Sequence, residues 1–285
     1  MDSPRVALRS GGTRPRILSA APLPARRRSH RRILRPRSSA RLPARAALSG
    51  TMMVQLAEKV VELEHWERGV AVTLRGEGGR ALCAGADLQL AREHLKTAED
   101  GQLMCRLMTD TLTRLRRLPL VSVALVEGIG AVGGGAELAT ACDFRIMESD
   151  ATFRFVQVQM GVSPGWGGGA RLAGIAGRRA ALRLLAWAAP LSAADAVAAG
   201  VADVVCPPGG AEEAAASFLE GILRQPSFRA VRAVKAAVAS ADDVSVEARR
   251  AEARAFRETW GAPANRQSLE RSSGGTRRGA GAEKI

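Results

Sequence analysis

The stretch from Val121 to Met147, VSVALVEGIGAVGGGAELATACDFRIM, most constrains what this chain can fold into. A β-branched apolar run, Val121 to Val126, stops at Glu127-Gly128, and glycines crowd the turn through Gly130 and Gly133-Gly134-Gly135. Ala136 to Cys142 then reads as a short helix and Phe144 to Met147 as another apolar run. The order is strand, glycine turn, helix, strand. Glycine lets the backbone take φ > 0 and lets a ligand approach bare N–H groups. The first N–H groups of a helix have no internal partner and favour negative charge.

Two kinds of site use such a turn. Gly128-Ile-Gly130-Ala-Val-Gly133 matches the dinucleotide fingerprint GxGxxG, and Glu148 lies where a ribose-binding acid would be expected. Against it stand the short helix, the poor helix formers Gly133-Gly134-Gly135 in its first turn, and Glu137, whose carboxyl points at the place a pyrophosphate would need.

The other reading is a thioester site. GGGAELATACDFRI is preceded by Ala84-Gly85-Ala86-Asp87-Leu88 and followed by Met160-Gly161-Val162-Ser163-Pro164-Gly165-Trp166-Gly167-Gly168. In residues, order and spacing these three blocks resemble the crotonase (enoyl-CoA hydratase/isomerase) superfamily. Between Gly50 and Asn265 the chain is most similar to the branch that decarboxylates ethylmalonyl-CoA, notably at Thr111-Leu-Thr-Arg-Leu, Arg154-Phe-Val and Trp260-Gly-Ala-Pro-Ala-Asn. The resemblance implies an α/β fold, a ββα spiral with a C-terminal helical region that closes the pocket and builds a homotrimer or hexamer. It also implies an acyl-CoA thioester substrate, with coenzyme A as part of the substrate and no separate cofactor, a place in fatty acid metabolism as a proofreader of metabolites, and a cytosolic location.

By the same resemblance the backbone N–H groups of Ala86 and Gly134 converge on the thioester oxygen. Glu137, if burial keeps it protonated, is expected as the third catalytic residue delivering a proton to the enolate carbon, with a purely structural role as the alternative. Ala84, Gly85, Asp87, Leu88, Gly133, Phe155, Gln157, Met160 and Trp166 would line the substrate. The bland reading of Ala84 to Leu88 is a loop with an Asp-capped helix. Hydratases of the family carry a second glutamate where this chain has Gln157, an amide that cannot exchange a proton near neutral pH. Simple hydratase chemistry is disfavoured. An isomerase or single-glutamate hydratase is the competing enzyme reading, and a non-catalytic RNA- or partner-binding relative is the competing reading of another class.

Charge is informative once located. The net charge is +14 over 285 residues, but residues 1–50 hold thirteen arginines and one acid, leaving +2 for residues 51–285. The body carries no basic stripe, so nucleic acid is not an expected partner. The leader, residues 1–50, reads as a disordered Arg-, Ser- and Pro-rich extension, with a mitochondrial presequence or an RNA-binding arm as its functional alternatives. It has no apolar run long enough to span a membrane.

Residues 51–206 read as the spiral core, 207–265 as the helical region and 266–285 as a disordered tail. Family members open with a strand pair and an Asn-Pro-rich turn that helps hold the adenosine of coenzyme A. Only Arg45-Ala-Ala-Leu-Ser-Gly50 resembles that segment here, so the first strand pair is expected to be missing. The periodicity places helices over Met53 to Leu63 and Gly101 to Leu118, the latter with Leu103, Leu107, Leu112 and Leu115 inward and ended by Pro119.

Gly161-Val-Ser163-Pro-Gly165 also matches the nucleophile elbow GxSxG. The only histidines, His30, His65 and His94, all precede it, which excludes a hydrolase triad in that order. Cys83, Cys105, Cys142 and Cys206 show no ligand spacing, so no metal is expected and a reducing compartment is.

Overall fold

The structure is a computed structural model that describes residues 18–22, 47–241 and 246–274. The chain begins with strand β1 (Leu18–Pro22), helix α1 (Gly50–Glu64), strand β2 (Gly69–Leu74) and helices α2 (Leu88–His94) and α3 (Ala98–Arg117). Strand β3 (Val121–Val126), the short β4 (Ala131–Val132), helix α4 (Gly134–Ala139), strand β5 (Phe144–Glu148) and the short β6 (Phe153–Arg154) follow. The second half holds α5 (Gly168–Trp187), α6 (Ala193–Ala198), β7 (Val204–Cys206) and helices α7 (Ala211–Leu223), α8 (Phe228–Ala241), α9 (Val246–Thr259) and α10 (Pro263–Gly274).

The main sheet has the order β1-β2-β3-β5-β7, with β1 antiparallel to β2 and the other pairs parallel. Every residue of β3 is buried, as befits a central parallel strand covered on both faces. Beside this sheet runs a second, narrower stack: Cys83 bridges to Ala131, Ala131-Val132 pairs with Phe153-Arg154, and Phe153 bridges to Leu191. Each long strand thus feeds a short one and then a helix, and repetition of that unit makes the expected spiral. The turn from β3 to β4 depends on Gly130, whose φ is +93° and where a Cβ would stand 1.8 Å from the Thr152 carbonyl oxygen. No other residue lets the small sheet fold back beside the large one.

Helix α3 carries a capping box at Thr97 and Asp100 and buries Met104, Met108, Leu112 and Leu115. Leu103 departs from its expected inward place: it is 63% exposed, because the buried stripe of α3 passes through Met104 and Met108 instead. Helix α8 is fastened to the sheet by Lys235, buried, whose Nζ donates to the Arg116 carbonyl at 2.6 Å and to Asp143 Oδ1 at 2.5 Å.

Two expected boundaries are corrected. The leader contributes β1, paired from Leu18↔Leu74 to Pro22↔Gly69 with an irregularity between Ala20 and Pro22. The outer edge of β2 would otherwise leave backbone N–H and C=O groups without a strand partner, and proline is tolerated on an edge strand. The remaining leader residues, 1–17 and 23–46, lie outside the described residues. The helical region does not end at 265 but continues as α10 to Gly274. Asn265 locks it in place, accepting from the Gly261 N–H at 2.9 Å and donating to the Met160 carbonyl at 2.9 Å, while Leu269 enters the core. Residues 275–285 of the expected tail lie outside the described residues. No helix among the described residues is long and apolar enough to cross a membrane.

Candidate active site

The site grows from two loops that the small sheet brings side by side. The Val132 N–H donates to the Cys83 carbonyl at 2.9 Å, which ties the glycine turn to the segment before Gly85. On its other side that segment is held by the Leu48 N–H, donating to the Gly85 carbonyl at 2.7 Å, and by the Asp87 N–H, donating to the Leu48 carbonyl at 2.9 Å. Gly85 has φ +93°, and a Cβ there would stand 3.1 Å from the Gly134 nitrogen. Ala86 and Gly134 are therefore near neighbours. Neither N–H has an acceptor among the described residues. Two adjacent unpartnered backbone donors are what an oxyanion needs.

Gly134 is required by its neighbour. A Cβ on it would meet the Trp166 ring at 2.4 Å, so the indole, 3% exposed, lies flush against the backbone that carries the donor. Glu137 follows one turn later on the same face of α4.

Glu137 is fully enclosed. Its Oε2 accepts from the Trp166 N–H at 2.7 Å and the Gly168 N–H at 2.9 Å, and its Oε1 from Gln157 Nε2 at 2.9 Å and the Gly165 N–H at 3.4 Å. Such donors favour the ionised form, and burial opposes it. Burial dominates: it raises the pKa from 4.5 to about 7, with Glu252 adding to the rise and Arg171, the Gly168 N–H and the Gln157 amide pulling against it. A carboxyl with this affinity holds and releases a proton near neutral pH.

Gln157 joins the carboxyl to open space. It is 8% exposed, its amide nitrogen is committed to Glu137, and its Oε1 is buried with no partner among the described residues. It also lines an apolar cavity of about 440 Å³ with Val158, Val162, Pro164, Leu182 and Leu185.

The other expected site residues divide. Gly133, at φ +57°, forms the N-cap of α4, and Ala84 is half-buried beside Gly85. Asp87 caps α2, accepting from the Gln89 N–H at 2.7 Å, and Leu88 is the exposed first residue of that helix, as the bland reading had it. Phe155 packs in the core with its ring 5.7 Å from that of Phe153, and Met160 offers its carbonyl to Asn265. Neither lines the cavity, because the turn at Gln157–Met160 directs Val158 there instead.

The alternative motifs are absorbed by structure. Glu148 accepts from the Gly128 N–H at 2.9 Å and the Gly209 N–H at 2.6 Å, so the acid that would bind a ribose fastens two turns. The Gly130 and Gly133 N–H groups donate to the Glu127 and Arg154 carbonyls, leaving the fingerprint without its phosphate donors. The Ser163 hydroxyl donates to the neighbouring Pro164 carbonyl at 3.2 Å.

Three groups escaped the sequence reading. Arg171 is half-buried and its Nη2 donates to the Glu137 carbonyl at 2.9 Å and the Trp166 carbonyl at 2.8 Å, holding the loop over the carboxyl. Glu252, on α9, accepts from the Ala170 N–H at 3.2 Å. Phe256 covers Gly165, where a Cβ would meet its ring at 2.4 Å. Arg171 gave a weak signal, since a long side chain in the first turn of a helix leans toward the N-terminus. Glu252 and Phe256 gave none, being one acid and one aromatic on an amphipathic helix far along the chain.

Comparison with known proteins agrees with this geometry. Residues 41–272 match the family model described as enoyl-CoA hydratase/isomerase. The chain is 46% identical over 237 residues to the ethylmalonyl-CoA decarboxylase of Danio rerio, covering 80% of this chain and 76% of that protein. It is 42% identical over 229 residues to the protein of the same name from Bos taurus, covering 79% and 74%. Among solved structures, an enoyl-CoA hydratase from Bacillus anthracis is similar at 27% identity with a TM-score of 0.65, covering 81% of this chain and 88% of that one. A putative enoyl-CoA hydratase from Streptomyces avermitilis, at 21% identity, shares the fold with a TM-score of 0.73, covering 85% and 87%. With a family model spanning most of its length and paired donors at Ala86 and Gly134, the chain belongs to the enoyl-CoA hydratase/isomerase family.

Proposed function

We propose that this chain is a carboxy-lyase that removes CO2 from ethylmalonyl-CoA, and from methylmalonyl-CoA as the smaller homologue, to give the corresponding acyl-CoA. The observation that carries this reading is the pairing of two unpartnered N–H groups, on Ala86 and Gly134, with a single enclosed carboxyl, Glu137, whose neighbour is an amide rather than a second acid. The similarity to proteins named ethylmalonyl-CoA decarboxylase supports the choice of substrate.

The bond between the α-carbon and the substrate carboxylate breaks, and its electron pair moves through the α-carbon onto the thioester oxygen. Donors at Ala86 and Gly134 meet that oxyanion, and the loss of one such donor costs about 3–4 kcal/mol of transition-state stabilisation. Apolar walls, Trp166 beside Gly134 and the cavity beyond Gln157, favour neutral CO2 over the poorly solvated carboxylate. Glu137, protonated, then delivers its proton to the α-carbon and regains one from water. Gln157 cannot act as the second acid of a hydratase. The working form in this reading is a cytosolic homotrimer or hexamer, with exposed Trp187 as apolar surface available to a second copy.

The test is conversion of ethylmalonyl-CoA to butyryl-CoA by the purified chain, with crotonyl-CoA hydration run beside it. Decarboxylation without hydration supports the reading. Hydration or double-bond migration alone replaces it with the isomerase or single-glutamate hydratase that Glu137 could equally serve.

A further inference from the structure

Two carboxyl groups flank one short run of backbone, and only one of them belongs to the spiral core. Glu137 takes the N–H groups of Trp166 and Gly168, and Glu252, from the C-terminal helical region, takes that of Ala170. Between them, a Cβ on Gly169 would stand 3.3 Å from Glu252 Oε2. The opening turn of α5 is thus clasped by an acid on each side.

The charges around this clasp do not balance. Arg171 is the guanidinium between the two acids, yet its hydrogen bonds go to the Glu137 and Trp166 carbonyls and to the Thr140 hydroxyl, not to either carboxylate. Glu252 Oε1 is buried with no partner among the described residues. From α3, Cys105 faces both acids, and its thiol is held neutral by burial and by their charges; Arg116 faces Arg171. Where α9 packs on α3, Arg257 pairs with Glu99 in solvent at 3.3 Å and screens neither acid. The half-buried Glu252 carboxyl lies near the enclosed Glu137, and a like charge at close range disfavours the ionised form of the more enclosed group.

We propose that Glu252 is a positioning residue that keeps Glu137 in its proton-bearing form while holding the loop that encloses it. This rests on the reading of Glu137 as proton donor. It gives the C-terminal helical region a chemical part in the site as well as a covering one. The direction of the Glu137 pKa, raised first by burial and next by Glu252, agrees.

The experiment follows the carboxyl itself. Infrared difference spectra of the full chain are recorded against pH, and the protonated-carboxyl band is assigned to Glu137 by its loss in Glu137→Gln. In Glu252→Gln the amide oxygen can still accept from Ala170 N–H while the charge is gone. The Glu137 band is expected to titrate at lower pH, and the alkaline limb of the activity profile to move with it. Should that variant be poorly folded, Glu252→Asp, which keeps the charge, is expected to titrate like the wild type. Titration of Glu137 at the same pH with and without the Glu252 charge overturns the proposal, as does absence of the band in the wild type. A shifted band in a protein without decarboxylase activity upholds the coupling and sinks the decarboxylase reading instead.

Discussion

Replacing Glu137 by glutamine tests whether this buried carboxyl carries a proton. In the unfolded chain the group titrates near 4.5 and in the folded protein at about 7. Folding therefore favours the protonated form. The resulting stabilisation is fully present below the unfolded value and is lost as pH rises through the folded one. At about 1.4 kcal/mol per pH unit this amounts to about 3 kcal/mol across that window, an order-of-magnitude figure for a fully buried group.

Glutamine cannot titrate, so the variant lacks this dependence. Its fit is good on geometric grounds. The amide oxygen can keep the bonds from Trp166 and Gly168, and the new NH2 can donate to Gln157 Oε1, which has no partner, once that amide turns over. Only the long contact from Gly165 is lost.

Urea unfolding followed by circular dichroism from pH 5 to pH 8.5 should show the two proteins close in stability at the acid end. The variant should be the more stable by about 3 kcal/mol at the alkaline end. It should also be inactive throughout. A difference that stays flat, or grows in favour of the wild type as pH rises, would mean that the four N–H donors hold Glu137 ionised. The proton-donor role would then be refuted.

Gly134→Ala forces a methyl into the Trp166 ring, 2.4 Å from its nearest carbon, and should lower kcat by at least tenfold while the protein still folds, as steady-state kinetics with a melting curve would show. Leu185→Trp narrows the cavity beside Gln157 and should depress kcat/KM for ethylmalonyl-CoA more than for methylmalonyl-CoA; equal losses would place the alkyl group elsewhere. Lys235→Met strands Asp143 at the end of the sheet and should cost about 3–5 kcal/mol in denaturant unfolding, far more than an exposed lysine would.

Sequence alone determined the framework because its signals are local. Val121 to Val126 could only be a buried strand, Gly130 and Gly134 stand where no side chain fits, and Glu137 falls one helical turn from the donor at Gly134. The donors at Ala86 and Gly134 were implied by the resemblance to the crotonase superfamily, whose signature lies in contiguous blocks of residues that a sequence displays directly. The N-terminal strand was not, since Leu18–Pro22 is extended by virtue of the open edge of β2 rather than by any pattern of its own. Phe155 and Met160 stand apart from the apolar cavity beside Gln157 for a similar reason: which side of a short turn faces a cavity is fixed by the elements packed behind it.

Tertiary structure alone decided the electrostatics of the site. Glu137 takes its raised proton affinity from burial and from Glu252, which lies more than a hundred residues further along the chain, against the pull of Arg171. Desolvation and Coulomb interaction depend on distance in space, and no pattern in the sequence places a glutamate of α9 beside the first turn of α5.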